Sequence, residues 1–370
     1  MSALFSPLAL RGLRLPNRIV VSPMCQYSAD NGAASAWHLM HIGALALSGA
    51  GMFCTEATAV EPEGRITPGC LGLWDERTEA ALSGVLGAVR RYSPIAMTMQ
   101  LAHAGRKGSS HVPWDGGQLL PVAQGGWVPF APSALPYKAD EPAPLALEPS
   151  GMQRVREAFV QAAIRAVRLG FDGLEIHAAH GYLLHQFLSP LANQRTDEYG
   201  GSLGNRMRYT LEVFAAVRAA VPATTPVGVK VSATDWVAGG WDLEQTLALC
   251  AQLKALGADW ISVSSGGLSP LQSIAVAPGY QVPFAQAVRA ATGLTTMAVG
   301  LITEPQQAEQ IIASGQADMV ALARAMLYDP RWPWHAAAQL GASVQAPPQY
   351  WRSQPSGNRG LFGEASSGQR

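Results

Sequence analysis

The chain has 370 residues, 48% of them hydrophobic and only 14% charged, and its 26 basic and 26 acidic side chains balance to a formal net charge of zero. That is enough chain for one large α/β barrel or two ordinary domains, and the lack of a basic field excludes nucleic acid and anionic membrane as natural partners. A small, weakly charged ligand in a soluble cytoplasmic protein is expected instead, because Met1–Leu15 lacks a secretory pattern and no run of about 18 uncharged apolar residues occurs.

Short Val-, Ile- and Met-rich segments alternate with helix-like stretches, the pattern of βαβ units on a parallel sheet. The spacing predicts strands at Arg18–Val21, Met52–Thr58, Ile95–Leu101, Gly173–His177, Val227–Val231, Trp260–Val263, Thr295–Val299 and Met319–Leu322. Helical patterns follow most of them, as at Glu157–Leu169, Leu243–Leu256 and Pro305–Ser314, with stops at Gly170, Gly257 and Gly315. Eight repeats close a (β/α)8 TIM barrel, expected here as a single domain over residues 1–352. The Gly- and Pro-rich stretch Ala104–Glu148, with Trp114 and Trp127, interrupts the alternation after the third strand. It reads either as a loop excursion over the barrel mouth or as a surface insertion. Residues 353–370, Gly/Ser-rich from Gln354 onward, read as a disordered tail.

Alternate residues of a barrel strand point inward and its carboxyl end faces the active site, so polar residues there carry the functional signal. Gln100 ends the third strand, Glu175 and His177 share a face of the fourth, Lys230 lies on the fifth, and the first leads into Cys25 and Tyr27. One such residue is usually a satisfied core group, whereas several at equivalent strand ends point to a site. The densest cluster is His177–Tyr182 (HAAHGY). Two imidazole N–H groups aimed at one oxygen would polarise a conjugated carbonyl, with Tyr182 as proton donor. Paired histidines also fit zinc, but this spacing matches no recognised zinc pattern. The four cysteines, Cys25, Cys54, Cys70 and Cys250, lie far apart, so free thiols and no metal are expected. Val299-Gly300 and Ala323-Arg324 stand at the ends of the seventh and eighth strands, where such barrels bind phosphate. A turn glycine beside a solvated arginine is the plainer alternative.

Taken together, Asn17–Tyr27 (NRIVVSPMCQY), Thr55–Val60 (TEATAV), Gln100–Arg106 (QLAHAGR), His177–Tyr182 and Asn193–Ser202 (NQRTDEYGGS) resemble old yellow enzymes, over about residues 4–352. The resemblance implies an FMN-dependent ene-reductase, or NADPH dehydrogenase. NADPH or NADH would reduce the flavin, and hydride would then pass from N5 to the β-carbon of an activated alkene such as an α,β-unsaturated carbonyl or a nitroalkene. It implies FMN held by Ser22, Pro23, Met24, Cys25, Ala57, Gln100, His177, Lys230, Gly300, Ala323 and Arg324. His177 and His180 would hold the substrate oxygen, Tyr182 would protonate, and Tyr27 would be a further substrate contact.

Cys25, Tyr27 and the short chain resemble the thermophilic-like ene-reductase subgroup, in which the thiol adjusts the flavin; a small buried hydrophobe is the other reading of Cys25. In that subgroup a segment similar to Pro347–Arg352 crosses a dimer interface. This implies a homodimer or homotetramer with Arg352 in the neighbour's substrate pocket, against the simpler reading that these aromatics cover their own barrel. Two departures stand out. Lys230 replaces the usual Arg, keeping the charge but losing the planar fork, and Ala323 replaces Gly, whose methyl would crowd the phosphate if the backbone needs a glycine conformation. The related dienoyl-thioester reductases are set aside for want of clustered cysteines, leaving as rival a flavin-free barrel, a lyase or a binding protein for a phosphorylated ligand.

Overall fold

The computed structural model describes residues 2–363. Eight parallel strands close into a barrel: β1 (Ile19–Val21), β2 (Met52–Cys54), β3 (Ala96–Ala102), β4 (Gly173–Ala178), β5 (Val227–Ser232), β6 (Trp260–Ser264), β7 (Thr295–Ala298) and β8 (Met319–Leu322). Each pairs with the next, and β8 pairs with β1, matching Val320 to Ile19 and Leu322 to Val21. A helix follows every strand on the outside: α1 (Ala36–Ala46), α2 (Glu76–Arg90), α3 (Pro149–Arg168), α4 (Leu203–Ala220), α5 (Leu243–Ala255), α6 (Val282–Thr292), α7 (Pro305–Ala313) and α8 (Trp332–Leu340).

Parallel strands covered on both faces must be apolar almost throughout, which explains runs such as Val227–Ser232, buried at every position. The amino-terminal half of the barrel is filled by Val20, Met52, Trp260, Met297 and Met319. A hairpin of Leu8–Leu10 and Leu13–Leu15 plugs that end with Leu10 and Leu15. Trp260 takes its room from β5, where a Cβ on Gly228 would fall 2.0 Å from the indole. With one end sealed by packing, the carboxyl end is left for a site.

Several details differ from the sequence expectations. The strand expected over Met52–Thr58 stops at Cys54, and Thr58–Ala59 pair separately with β3. The break frees Glu56, a buried carboxylate, to accept the Gln26 N–H at 3.0 Å. Helix α3 starts at Pro149, eight residues before the expected Glu157, because proline at the first helical position gives up no hydrogen bond. Residues 103–148 carry short turns, an isolated bridge between Ser110 and Leu119 and the pairing of Phe130–Ala131 with Leu145–Ala146, and they bring Trp114 edge-on to Tyr27 at 5.7 Å.

Within the tail expected to be disordered, residues 353–360 are mostly exposed and two side chains beyond them are buried. Leu361 and Phe362 are buried with Ala337 and Val344, and Phe362 meets Trp334 at 4.9 Å, so two apolar side chains outweigh the Gly/Ser composition around them. The remainder of that tail, 364–370, lies outside the described residues. Among the described residues no helix is long and apolar enough to cross a membrane.

Candidate active site

Because β4 pairs with β3 on one side and β5 on the other, Gln100 is aligned with Glu175 and Lys230 with His177. Deep in the barrel Glu175 takes an N–H from Gln100 at 2.7 Å and one from the Trp260 indole at 3.1 Å. Gln100 is therefore partly committed to the barrel interior. Above this layer Lys230 is buried, and its ammonium has no hydrogen-bond or ion-pair partner among the described residues. A buried, unpaired cation is costly unless an anionic or strongly accepting group comes to meet it.

His177, His180 and Tyr182 meet at the carboxyl end of β4. The His177 ring lies edge-on to His180 at 5.1 Å and to Tyr182 at 4.9 Å. Ala179 N–H donates to His177 Nδ1 at 3.2 Å, so the neutral ring carries its proton on Nε2, free to donate. Burial, then the charge of Lys230, holds both imidazoles well below the ordinary histidine value, so each is neutral at pH 7. Burial likewise pushes the Tyr182 phenol well above its usual range, keeping the proton on oxygen.

The turn after β4 is strained and clamped. His180 has φ of 58° and Gly181 of 73°, both in the left-handed region. A Cβ on Gly181 would fall 2.2 Å from the Gly267 carbonyl, so only glycine fits there. The Lys107 ammonium bridges the carbonyls of His180 at 2.9 Å and Gly267 at 3.0 Å, and stands over the rings of Tyr182 and Tyr137. Burial pushes its pKa down to about 8. The His180 N–H donates to Ser232 Oγ at 2.9 Å, and its Nε2 lies 2.7 Å from Ser264 Oγ.

Facing this cluster, Cys25 and Tyr27 follow β1, and Tyr27 has φ of 53°. Burial keeps the Cys25 sulfur a thiol and raises the Tyr27 phenol. Tyr27, Arg106, Lys107, Tyr137 and His111 line a cavity of about 130 Å³ whose walls come mostly from the 103–148 segment. All four cysteines are free, and no group of three His, Cys, Asp or Glu among the described residues is arranged to hold a metal.

At the other side of the mouth Gly300 has φ of 120°, and a Cβ there would lie 2.7 Å from Gln281 Nε2, so glycine is required. Ala323 has φ of −104° and ψ of −89°, which is not the left-handed conformation that favours glycine. Arg324 opens the short helix Arg324–Tyr328 and is exposed beside Tyr280. Ser22 and Ala57 are buried, while Pro23 and Met24 are half-buried. The structure does not bring Arg352 to this cluster within the chain. It is exposed in the Pro348–Ser353 turn, whose Trp351 lines a groove of about 800 Å³ with Ala50, Ile95 and Asp172, which precede β2, β3 and β4.

Sequence reasoning missed Glu56, Lys107, Ser232, Ser264 and Gln281. Ser232 and Ser264 were findable, since they end β5 and β6. Gln281, at the entry to α6, carried no signal.

The chain is 43% identical to an NADPH dehydrogenase of Geobacillus thermodenitrificans over 353 residues, 95% of this chain and 98% of that one. It is 42% identical to an NADPH dehydrogenase of Listeria innocua, covering 95% of this chain and 99% of the relative. Among solved structures it is similar to morphinone reductase, with a TM-score of 0.75 at 28% identity, over 99% of this chain and 96% of that one. Residues 3–342 match the model of one family across the whole barrel, and the chain belongs to that family, the NADH:flavin oxidoreductase / NADH oxidase family of old yellow enzyme-type oxidoreductases.

Proposed function

We propose that the protein is an FMN-dependent ene-reductase of the thermophilic-like subgroup, reducing activated C=C bonds at the expense of NADPH or NADH. The observation that carries this reading is the placement, side by side on β4 and β5, of a His177 Nε2–H donor and the cation of Lys230, neither with a partner among the described residues. FMN fits these residues: Lys230 would face its electron-rich ring edge, and Gly300, Ala323 and Arg324 would receive its phosphate. Ser22, Pro23, Met24, Cys25, Ala57, Gln100 and His177 would border its ring. When bound, FMN would take hydride from the nicotinamide and deliver it to the β-carbon of the alkene.

The chain's own residues do the rest. His177 and His180 would hold the carbonyl or nitro oxygen and stabilise the negative charge that grows on it. Tyr182, uncharged and next to His177, would give its phenolic proton to the α-carbon, while Tyr27 would close the pocket from β1. The clamp on the His180 turn by Lys107 holds these groups in register. Arg352 would come from a second copy of the chain. Arg352→Ala should then raise KM for alkenes with self-association intact, and a monomeric, fully active protein would remove it from the site.

Tyr182→Phe separates the half-reactions. Flavin reduction by nicotinamide should proceed at near the wild-type rate, and alkene reduction should slow by about 10²-fold or more, because only the second step needs a proton donor. Equal slowing of both, or of neither, would remove Tyr182 from the proposed role.

A further inference from the structure

We infer that Ser264, oriented by Gln281, is a positioning residue that fixes His180 in the Nε2–H form and so readies the second donor of the oxygen clamp. The inference rests on the clamp reading of His177 and His180 given above.

The chain of reasoning starts at Val299, whose carbonyl can only accept. The Gln281 atom 3.0 Å from it is therefore the amide nitrogen, and Oε1 is turned back towards β6. There Oε1 receives the hydroxyls of Ser265 at 2.6 Å and Ser264 at 3.3 Å. A serine hydroxyl has one proton. Having given it to Gln281, Ser264 presents only lone pairs to His180 Nε2 at 2.7 Å, so the ring proton lies on Nε2.

A second observation points the same way. His180 Nδ1 has no hydrogen-bond acceptor among the described residues, whereas Nε2 has Ser264 Oγ, so the protein supplies a partner for the ring proton only at Nε2. The opposite tautomer would strand its proton at Nδ1. His177 reaches the same Nε2–H state by another device, the Ala179 N–H on its Nδ1. Two histidines, one at the end of β4 and one on the turn after it, thus offer the same kind of nitrogen, one set by its own backbone and the other by a serine from β6. Ser264 Oγ is the resident acceptor that a substrate oxygen must share or replace at His180. The chain of hydrogen bonds ends at Val299, next to Gly300, so it also ties the clamp to the turn proposed to receive phosphate.

The test is long-range ¹H–¹⁵N correlation of ¹⁵N-histidine-labelled holoenzyme near pH 8, with His180 assigned by its loss in His180→Ala among the eight histidines. Wild type should show His180 as the Nε2–H tautomer. Ser264→Ala should shift it towards Nδ1–H and raise KM for cyclohexenone about tenfold, the weight of one hydrogen bond, with kcat changed less. Ser264→Thr, which restores the hydroxyl, should return both. A wild-type His180 protonated on Nδ1, or an unchanged tautomer in Ser264→Ala, overturns the inference. A shifted tautomer with unchanged KM supports the serine's role and counts against the clamp reading instead.

Discussion

Replacing His177 by alanine should lower kcat/KM for a cyclic enone by about 10²–10³-fold, or roughly 3–4 kcal/mol, the effect of removing one preorganised donor from a growing oxyanion. The size follows from its setting. The ring is buried, neutral and committed by Ala179 to the Nε2–H form, so the donor needs no reorganisation when charge develops. Low local dielectric makes such a donor worth more than it would be in water. Phenols should report the same loss without turnover, because a long-wavelength charge-transfer band over the flavin would depend on their binding as phenolates at the proposed clamp. An alanine variant with wild-type turnover and an undiminished band would show that substrate oxygen binds elsewhere.

The second large effect is expected at Lys230. Methionine has nearly the same length and no charge, so Lys230→Met removes the ammonium while filling its space. The cation has no hydrogen-bond or ion-pair partner among the described residues, so its loss should leave the apoprotein at least as stable as wild type. FMN affinity should fall by about 10- to 100-fold, the worth of one charged hydrogen bond, and the holoprotein should lose the matching ligand-induced rise in Tm. Opposite signs in apo and holo forms are the diagnostic feature. If Lys230→Met destabilises the apoprotein and leaves FMN binding untouched, the lysine serves the barrel and not the cofactor.

The barrel was legible because its information is local and repeated. Apolar runs such as Val227–Val231 recur at βα spacing, and helices stop at Gly170, Gly257 and Gly315, which take φ of 88°, 91° and 71°. His177, Lys230 and Gln100 could be placed in one mouth because strand parity alone puts them there. What stayed hidden depends on contacts distant in sequence. Nothing near Ser264 announces that it meets both His180, 84 positions away, and Gln281. The left-handed turn at His180 is equally silent, since a histidine gives no signal that a lysine 73 positions earlier will hold its carbonyl. Composition is equally silent at the carboxyl end, where glycine and serine surround Leu361 and Phe362 and those two side chains pack around Val344. The proposed role of Arg352 came only from the family resemblance, because the site it would serve lies in another copy of the chain.

Anaerobic spectroscopy of the purified protein tests the account most directly. It should be yellow with roughly one FMN per chain, bleach on addition of NADPH or NADH, and regain its colour when cyclohexenone is added without oxygen. A colourless protein that takes up no added FMN, or a bound flavin that nicotinamide reduces but no activated alkene reoxidises, would contradict it.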